Sequence, residues 1–86
     1  MRINLHIDYD GGVGKDIVAN AADMVAFEDK FGVSIASLGH DPKVSYLYFL
    51  AWHSEKRTGA TTDTFEKWLE KIEAVGAGDA DPKSKG

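Results

Sequence analysis

The chain of 86 residues contains no cysteine and no apolar segment long enough to cross a membrane. Without cysteine there can be no disulfide, no thiolate metal site and no cysteine nucleophile, so packing, self-association or a partner must stabilise the fold. A membrane helix needs roughly 18 apolar residues in a row. The N-terminus alternates apolar and polar residues where a signal peptide has a continuous apolar run. We therefore expect an unprocessed, soluble protein.

Positive charge is also scarce in this chain. Ten Lys and Arg residues stand against 14 Asp and Glu, which gives a formal net charge of −4. Nonspecific binding to nucleic acid depends on a basic surface that contacts phosphates, so we expect no nucleic-acid partner. His6, His40 and His53 form no i, i+4 pair, which argues against a metal site. No nucleophile-elbow motif occurs either, and we expect neither catalysis nor a cofactor.

The N-terminal segment has the pattern of a β-hairpin. Ile3, Leu5 and Ile7 alternate with polar residues, which predicts a strand with one buried face. The stretch DYDGGVGKD, from Asp8 to Asp16, lacks the glycine and hydroxyl positions of a phosphate loop and the later ligands of a calcium loop. Its glycines instead suit a tight turn, with a second strand over 16–19. We expect its acids and its lysine to face water.

Three helices are predicted after the hairpin. Helix start and stop signals, namely capping residues, an N-terminal proline and terminal glycines, define their ends. One helical turn is allowed in the connecting segment 33–38, with Gly39 as its end. The first helix, 21–31, has Asn20 as its cap and Gly32 after it; the second, 42–58, has Asp41 and Pro42 at its start and Gly59 after it; the third begins near Thr62 or Asp63 and carries Phe65, Trp68, Leu69, Ile72 and Val75 on one face.

These elements predict an α+β fold. An N-terminal strand or hairpin packs on a bundle of three helices and forms a single domain over residues 1–75. The remaining segment, 76–86, has no apolar side chain beyond alanine. Such a segment cannot offset the entropy lost on ordering, and we expect a flexible tail.

The segment VSYLYFLAWH, from Val44 to His53, is apolar on almost every side of the predicted second helix. A helix of this kind is buried on both sides, either within its own domain or against another chain. One interpretation is a central helix between the hairpin and the other helices. The other is an exposed aromatic patch for a partner, because aromatic residues dominate binding hot spots. The candidate protein-binding residues are Tyr48, Phe49 and Trp52, followed by Phe65 and Trp68.

Three segments, taken in order, resemble the tail assembly chaperones of long-tailed, siphovirus-type bacteriophages. ADMVAFEDKFGVSIASL carries a hydrophobic-Phe-Glu step before a Phe-Gly break. VSYLYFLAWHSEKRTG has a Leu-Ala-Trp centre and a basic-Thr-Gly end, and TFEKWLEKIEAV has the Phe-x-x-Trp-Leu spacing. The similarity covers about residues 20 to 75.

The resemblance implies a non-enzymatic phage protein. Such a chaperone binds the tape measure protein, keeps that long coiled-coil chain soluble, helps to recruit tail tube subunits, and leaves before the tail is complete. It acts in the host cytoplasm and is absent from the mature virion. A small helix-turn-helix DNA-binding regulator and a structural head-to-tail connector component remain the alternatives, and the oligomeric state, including a homo-oligomer, stays open.

Overall fold

The computed structural model describes residues 2–40 and 43–77. They form an α+β domain in which one three-stranded antiparallel sheet, of strand order β2-β1-β3, is combined with helices. The elements in chain order are β1 (Ile3–Tyr9), β2 (Val13–Ala19), α1 (Ala21–Phe31), α2 (Ser37–His40), α3 (Val44–Thr58), α4 (Phe65–Leu69) and β3 (Ile72–Ala77).

The predicted hairpin is confirmed. β1 and β2 pair antiparallel from Ile3 opposite Ala19 to Tyr9 opposite Val13, so the second strand begins three residues earlier than the sequence predicts. Gly11 and Gly12 have φ values of 98° and 89°. Residues with a Cβ rarely adopt such values, which explains why the turn is built from glycine.

The bounds of α1 agree with the prediction, since local signals determine both of its ends. The Asn20 side chain accepts a hydrogen bond from the Ala22 amide at 3.0 Å, and Gly32 ends the helix with a φ of 69°. The next short helix differs from the prediction. Gly39 lies within α2 and donates its amide to the Ala36 carbonyl at 3.0 Å, so the turn continues through this glycine instead of ending there.

The central helix, α3, ends where the sequence predicts. Gly59 follows it with a φ of 86°, and its amide bonds back to carbonyls of the last turn. The helix begins at Val44 with Lys43 in the capping position, and no side chain caps it. The predicted cap, Asp41, and the predicted first residue, Pro42, lie outside the described residues.

The predicted third helix is wrong beyond Leu69. Only Phe65–Leu69 is helical, and the chain then turns into β3, which pairs antiparallel with β1. Ile72 faces Tyr9 and Val75 faces Ile7, and the register shifts between Asp8 and Tyr9. Because three residues of β3 match two of β1, the irregularity brings Ile72 and Val75 to the same buried side.

The described residues therefore contain two longer helices, α1 and α3, and two short ones, α2 and α4, in place of the three predicted long helices. Gly76 and Ala77 belong to β3, and the rest of the predicted tail lies outside the described residues.

The core lies around α3, which contacts α1, α4 and all three strands. This position matches the interpretation of α3 as a central helix. Leu50 and Ala51 of α3 are fully buried against the sheet residues Leu5 and Ile7 and against Phe27 of α1. Within residues 2–40 and 43–77, no helix is both long and apolar enough to span a bilayer.

Candidate functional site

The structure separates the five candidate protein-binding residues into two groups. Phe49 and Trp68 are buried, with exposures of 6% and 2%, whereas Tyr48, Trp52 and Phe65 are half-buried. Phe49 and Trp68 belong to the core, so a partner could contact only the other three without unfolding the domain. We call Tyr48, Trp52 and Phe65 the aromatic surface.

Four of the five candidates form one cluster of rings where α3 meets α4. Trp52 and Phe65 are the exposed part of this cluster, and their ring centres lie 5.5 Å apart. Phe49 lies beneath both, at 5.6 Å from Trp52 and 5.9 Å from Phe65. Phe65 stacks on Trp68 at 6.5 Å. Tyr48 joins the same helix face one turn before Trp52, at i, i+4 spacing.

The Trp52 ring is held in place at the surface. Its Nε1 donates a hydrogen bond of 3.0 Å to the Asp63 carbonyl, in the loop before α4. The Nζ atom of Lys56 lies 5.2 Å from the ring centre, in a cation–π contact. With its polar atom already satisfied, Trp52 offers a fixed apolar ring, which loses little side-chain entropy when a partner binds.

The rings continue from the aromatic surface through the core to α1. Phe31 lies 5.6 Å from Phe49 and 4.9 Å from Tyr46, and Tyr46 lies 5.0 Å from Phe27, mostly in edge-to-face geometry. Such pairs stabilise a core beyond the area that they bury. The aromatic surface therefore rests on a rigid base.

A buried carboxylate fixes the position of α4 against α3. Glu55 is 3% exposed, and its Oε1 accepts a hydrogen bond of 2.9 Å from Trp68 Nε1. Its Oε2 accepts from the Tyr9 hydroxyl at 2.6 Å and from Lys15 Nζ at 2.8 Å. One side chain thus links α3 to α4, β1 and β2. Contrary to the expectation for the turn, Lys15 does not simply face water.

Burial alone would raise the pKa of Glu55, but the hydrogen bonds from Lys15, Tyr9 and Trp68 outweigh it and lower that pKa. The pKa of Tyr9 rises, first because burial disfavours its phenolate and second because of the bond to Glu55. Glu55 is therefore ionised and Tyr9 neutral at neutral pH. Both groups are committed to structural hydrogen bonds, which does not suit them to acid–base chemistry.

A second buried carboxylate joins α1 to α3. Asp23 is fully buried and accepts from Arg57 Nη2 at 2.9 Å and His53 Nδ1 at 2.6 Å. It also accepts from the Asn20 amide at 2.9 Å, which closes the cap of α1. Burial raises the pKa of Asp23, and the bonds from Arg57 and His53 lower it by more. Asp23 ionises readily, and the neighbouring carboxylate raises the pKa of Arg57.

Sequence reasoning missed the burial of both carboxylates, although a signal exists for each. Glu55 follows Ala51 by one helical turn and so continues the buried face of α3. Asp23 precedes the buried Phe27 by one turn. A charged residue at an apolar position of a helical pattern indicates a buried charge that needs partners. Among the described side chains, no buried nitrogen or oxygen lacks a hydrogen-bond partner.

His6 bridges two acids on the exposed side of the hairpin. Its Nδ1 lies 2.6 Å from Asp16 and its Nε2 lies 3.1 Å from Asp8. The bond to Asp16, and then that to Asp8, raise the pKa of His6 although burial opposes them. The described residues contain no group of three or more His, Asp or Glu side chains that could hold a metal ion.

Comparison with family models, with curated proteins and with solved structures finds no significant match for this chain.

Proposed function

We propose that the protein is a non-enzymatic bacteriophage tail assembly chaperone that binds the tape measure protein through the aromatic surface. The observation that carries the proposal is the Trp52–Phe65 pair, two half-buried rings 5.5 Å apart on a buried aromatic base. The resemblance of residues 20 to 75 to that chaperone family supports the proposal from the sequence. Under this proposal the domain binds a client protein and catalyses no reaction.

The chemistry of the surface fits one face of an amphipathic helix. A coiled-coil client exposes apolar side chains every three or four residues until it assembles. Rings that are partly covered and held in position can receive such side chains with a small loss of entropy. Tyr48 and Trp52, one turn apart on α3, match the repeat of a helix that packs alongside.

The charges at the edge of the surface complement an acidic or mixed client helix. Lys56 lies against Trp52, and Lys67 is exposed on α4 beside Glu66. Charges at the edge of an apolar contact mainly speed encounter and fix orientation. The ring cluster would therefore supply most of the affinity, and the lysines would select the register of the client.

Co-expression with the tape measure protein tests the proposal. We expect the wild-type chain to keep that protein soluble and to co-purify with it. Tyr48→Glu should abolish both effects, because a charge would then enter the aromatic surface. Val13→Glu is the matched control, since it adds the same charge at a side chain that is 62% exposed on the hairpin. An unchanged solubility of the tape measure protein, with no complex, would remove the main support for the proposal.

The proposal also covers the recruitment of tail tube protein in the host cytoplasm and departure from the finished tail. A chaperone of this kind should be present in infected-cell lysate and missing from purified virions. Quantitative mass spectrometry of both fractions measures this. Stoichiometric retention in virions would instead favour the head-to-tail connector alternative.

A further inference from the structure

A pocket separate from the aromatic surface opens between the hairpin and the C-terminal half of α3. Its volume is about 400 Å³, which is within the usual range of small-molecule sites. Three cationic side chains line it, those of Arg2, Lys15 and Arg57, in a chain whose formal net charge is −4. The other lining residues are Ile17, Val18, Asn20, Ser54 and Thr58.

Two of the cations are held by the buried carboxylates of Glu55 and Asp23. Lys15 Nζ bonds to Glu55 at 2.8 Å, and Arg57 makes hydrogen bonds to both oxygens of Asp23. The side chains of Lys15 and Arg57 nevertheless remain 44% and 29% exposed, whereas those of Glu55 and Asp23 are only 4% and 0% exposed. The negative charges are covered, and the positive groups are the ones within reach of solvent.

Each of these cations keeps donors for a ligand. An ammonium group has three N–H donors, and among the described residues Lys15 uses one, for Glu55. The hydrogen bonds of Arg57 to the described part of the chain come from Nε and Nη2, and Nη1 makes none. Arg2 forms no ion pair within residues 2–40 and 43–77. Three cations against two carboxylates leave one surplus positive charge.

We propose that this pocket binds a small organic oxyanion, with its carboxylate or phosphate group between Arg2, Lys15 and Arg57. The buried ion pairs orient Lys15 and Arg57 before a ligand arrives, and Arg2 supplies the third cation of the lining. Ile17 and Val18 supply an apolar wall for a short carbon chain. The hydroxyl groups of Ser54 and Thr58 donate to backbone carbonyls within the domain, so the donors for the anion come from the three cations. The site does not depend on the proposed chaperone function.

Two-dimensional NMR titration of the full chain tests the proposal, with inorganic phosphate in one arm and N-acetylglutamate amide in the other. Sodium chloride at equal ionic strength corrects for screening. We expect saturable shifts confined to the amides of residue 2 and of residues 15–18 and 54–58. Saturation by phosphate alone would identify a phosphate ligand, and saturation by the glutamate derivative alone would identify a carboxylate ligand. Both results support the site.

Arg2→Gln provides the decisive variant, because Arg2 holds neither buried carboxylate. We expect it to weaken binding about fivefold to tenfold through the loss of one charge-assisted contact, without a change in thermal stability. Lys30→Gln, at an exposed residue of α1, is the matched control and should leave the affinity unchanged. The proposal would be overturned if neither ligand gave saturable shifts, or if the wild type and Arg2→Gln bound with equal affinity.

Discussion

Trp68 Nε1 donates a hydrogen bond of 2.9 Å to Glu55 Oε1, and both residues are buried. Trp68 lies on α4 and Glu55 on α3, so this bond joins the helix that carries Phe65 to the helix that carries Trp52. The geometry of the aromatic surface therefore depends on a charge inside the domain.

Replacing Glu55 by alanine should lower the free energy of unfolding by about 3 kcal/mol. The substitution removes the acceptor of the buried Trp68 N–H and leaves Lys15 and Tyr9 without their partner. Urea denaturation followed by circular dichroism measures the change. Glu66→Ala, at an exposed position of α4, is the control and should stay within about 0.5 kcal/mol of the wild type. Equal stabilities of the two variants would contradict the structural role of Glu55.

Acid should destabilise the fold through both buried carboxylates. Their folded-state pKa values lie below the ordinary values of 3.8 for Asp23 and 4.5 for Glu55. A lowered folded-state pKa gives stability that is present above the unfolded pKa and is lost as the pH falls through the folded pKa. Unfolding free energy should therefore decline below about pH 4.5.

The double variant Asp23→Asn, Glu55→Gln isolates that effect. It should be less stable than the wild type at pH 7, and its stability should fall less steeply between pH 5 and the acid limit of the measurement, because the two groups that bind protons on unfolding are gone. Urea titrations at several pH values give the slope. A slope as steep as that of the wild type would assign the acid sensitivity to other carboxylates.

The contribution of His6 to stability should depend on pH in the opposite direction to that of Asp23 and Glu55. Its pKa is raised above 6.5, chiefly by the hydrogen bond to Asp16. The stability from a raised pKa is fully present below the unfolded value and is lost as the pH rises through the folded value. The melting temperature of the wild type should therefore fall slightly as the pH rises above 6.5. His6→Gln should remove that dependence. The same pH dependence in both proteins would contradict the prediction.

Phe49 and Tyr48, neighbours in sequence, should give opposite results when each is replaced by alanine. Phe49 is 6% exposed and contacts three other aromatic rings and the His53 imidazole; its loss should cost about 3 to 4 kcal/mol of stability. Tyr48 is half-buried, and its loss should cost less than about 1 kcal/mol while weakening client binding. Denaturation and pull-down of the tape measure protein measure the two effects. A large stability loss for Tyr48→Ala would place it in the core instead.

The parts of the fold that follow from local signals are predictable from sequence. Asn20 and Gly32 define α1, and Gly59 defines the end of α3, because caps and left-handed glycines act within a few residues. The strand at Ile72 and Val75 is different, since its partner, β1, lies more than 60 residues away. Ile72 and Val75 are three residues apart, a spacing that suits one face of a helix. In a strand they reach the same side only because the register shifts beside Tyr9.

The candidate site, too, was predictable where local signals determine it and not where distant residues do. An apolar helix surrounded by aromatic residues could be recognised from the sequence, but its periodicity could not decide which rings the sheet and α4 would cover. The pattern places Phe49 and Tyr48 side by side, and packing buries the first and leaves the second accessible. The charged partners of Asp23 and Glu55, namely His53, Arg57 and Lys15, come from residues 30 or more positions away, and sequence spacing carries no information about them.

Photo-crosslinking locates the surface that contacts the tape measure protein. Tyr48→p-benzoylphenylalanine places the reactive group within the aromatic surface, and Val13→p-benzoylphenylalanine places it on the hairpin. With co-expressed tape measure protein, irradiation should give a crosslinked product from position 48 and none from position 13, and mass spectrometry should locate it on an apolar stripe of the client. A complex that crosslinks from position 13 and not from position 48 would contradict the assignment of the binding surface.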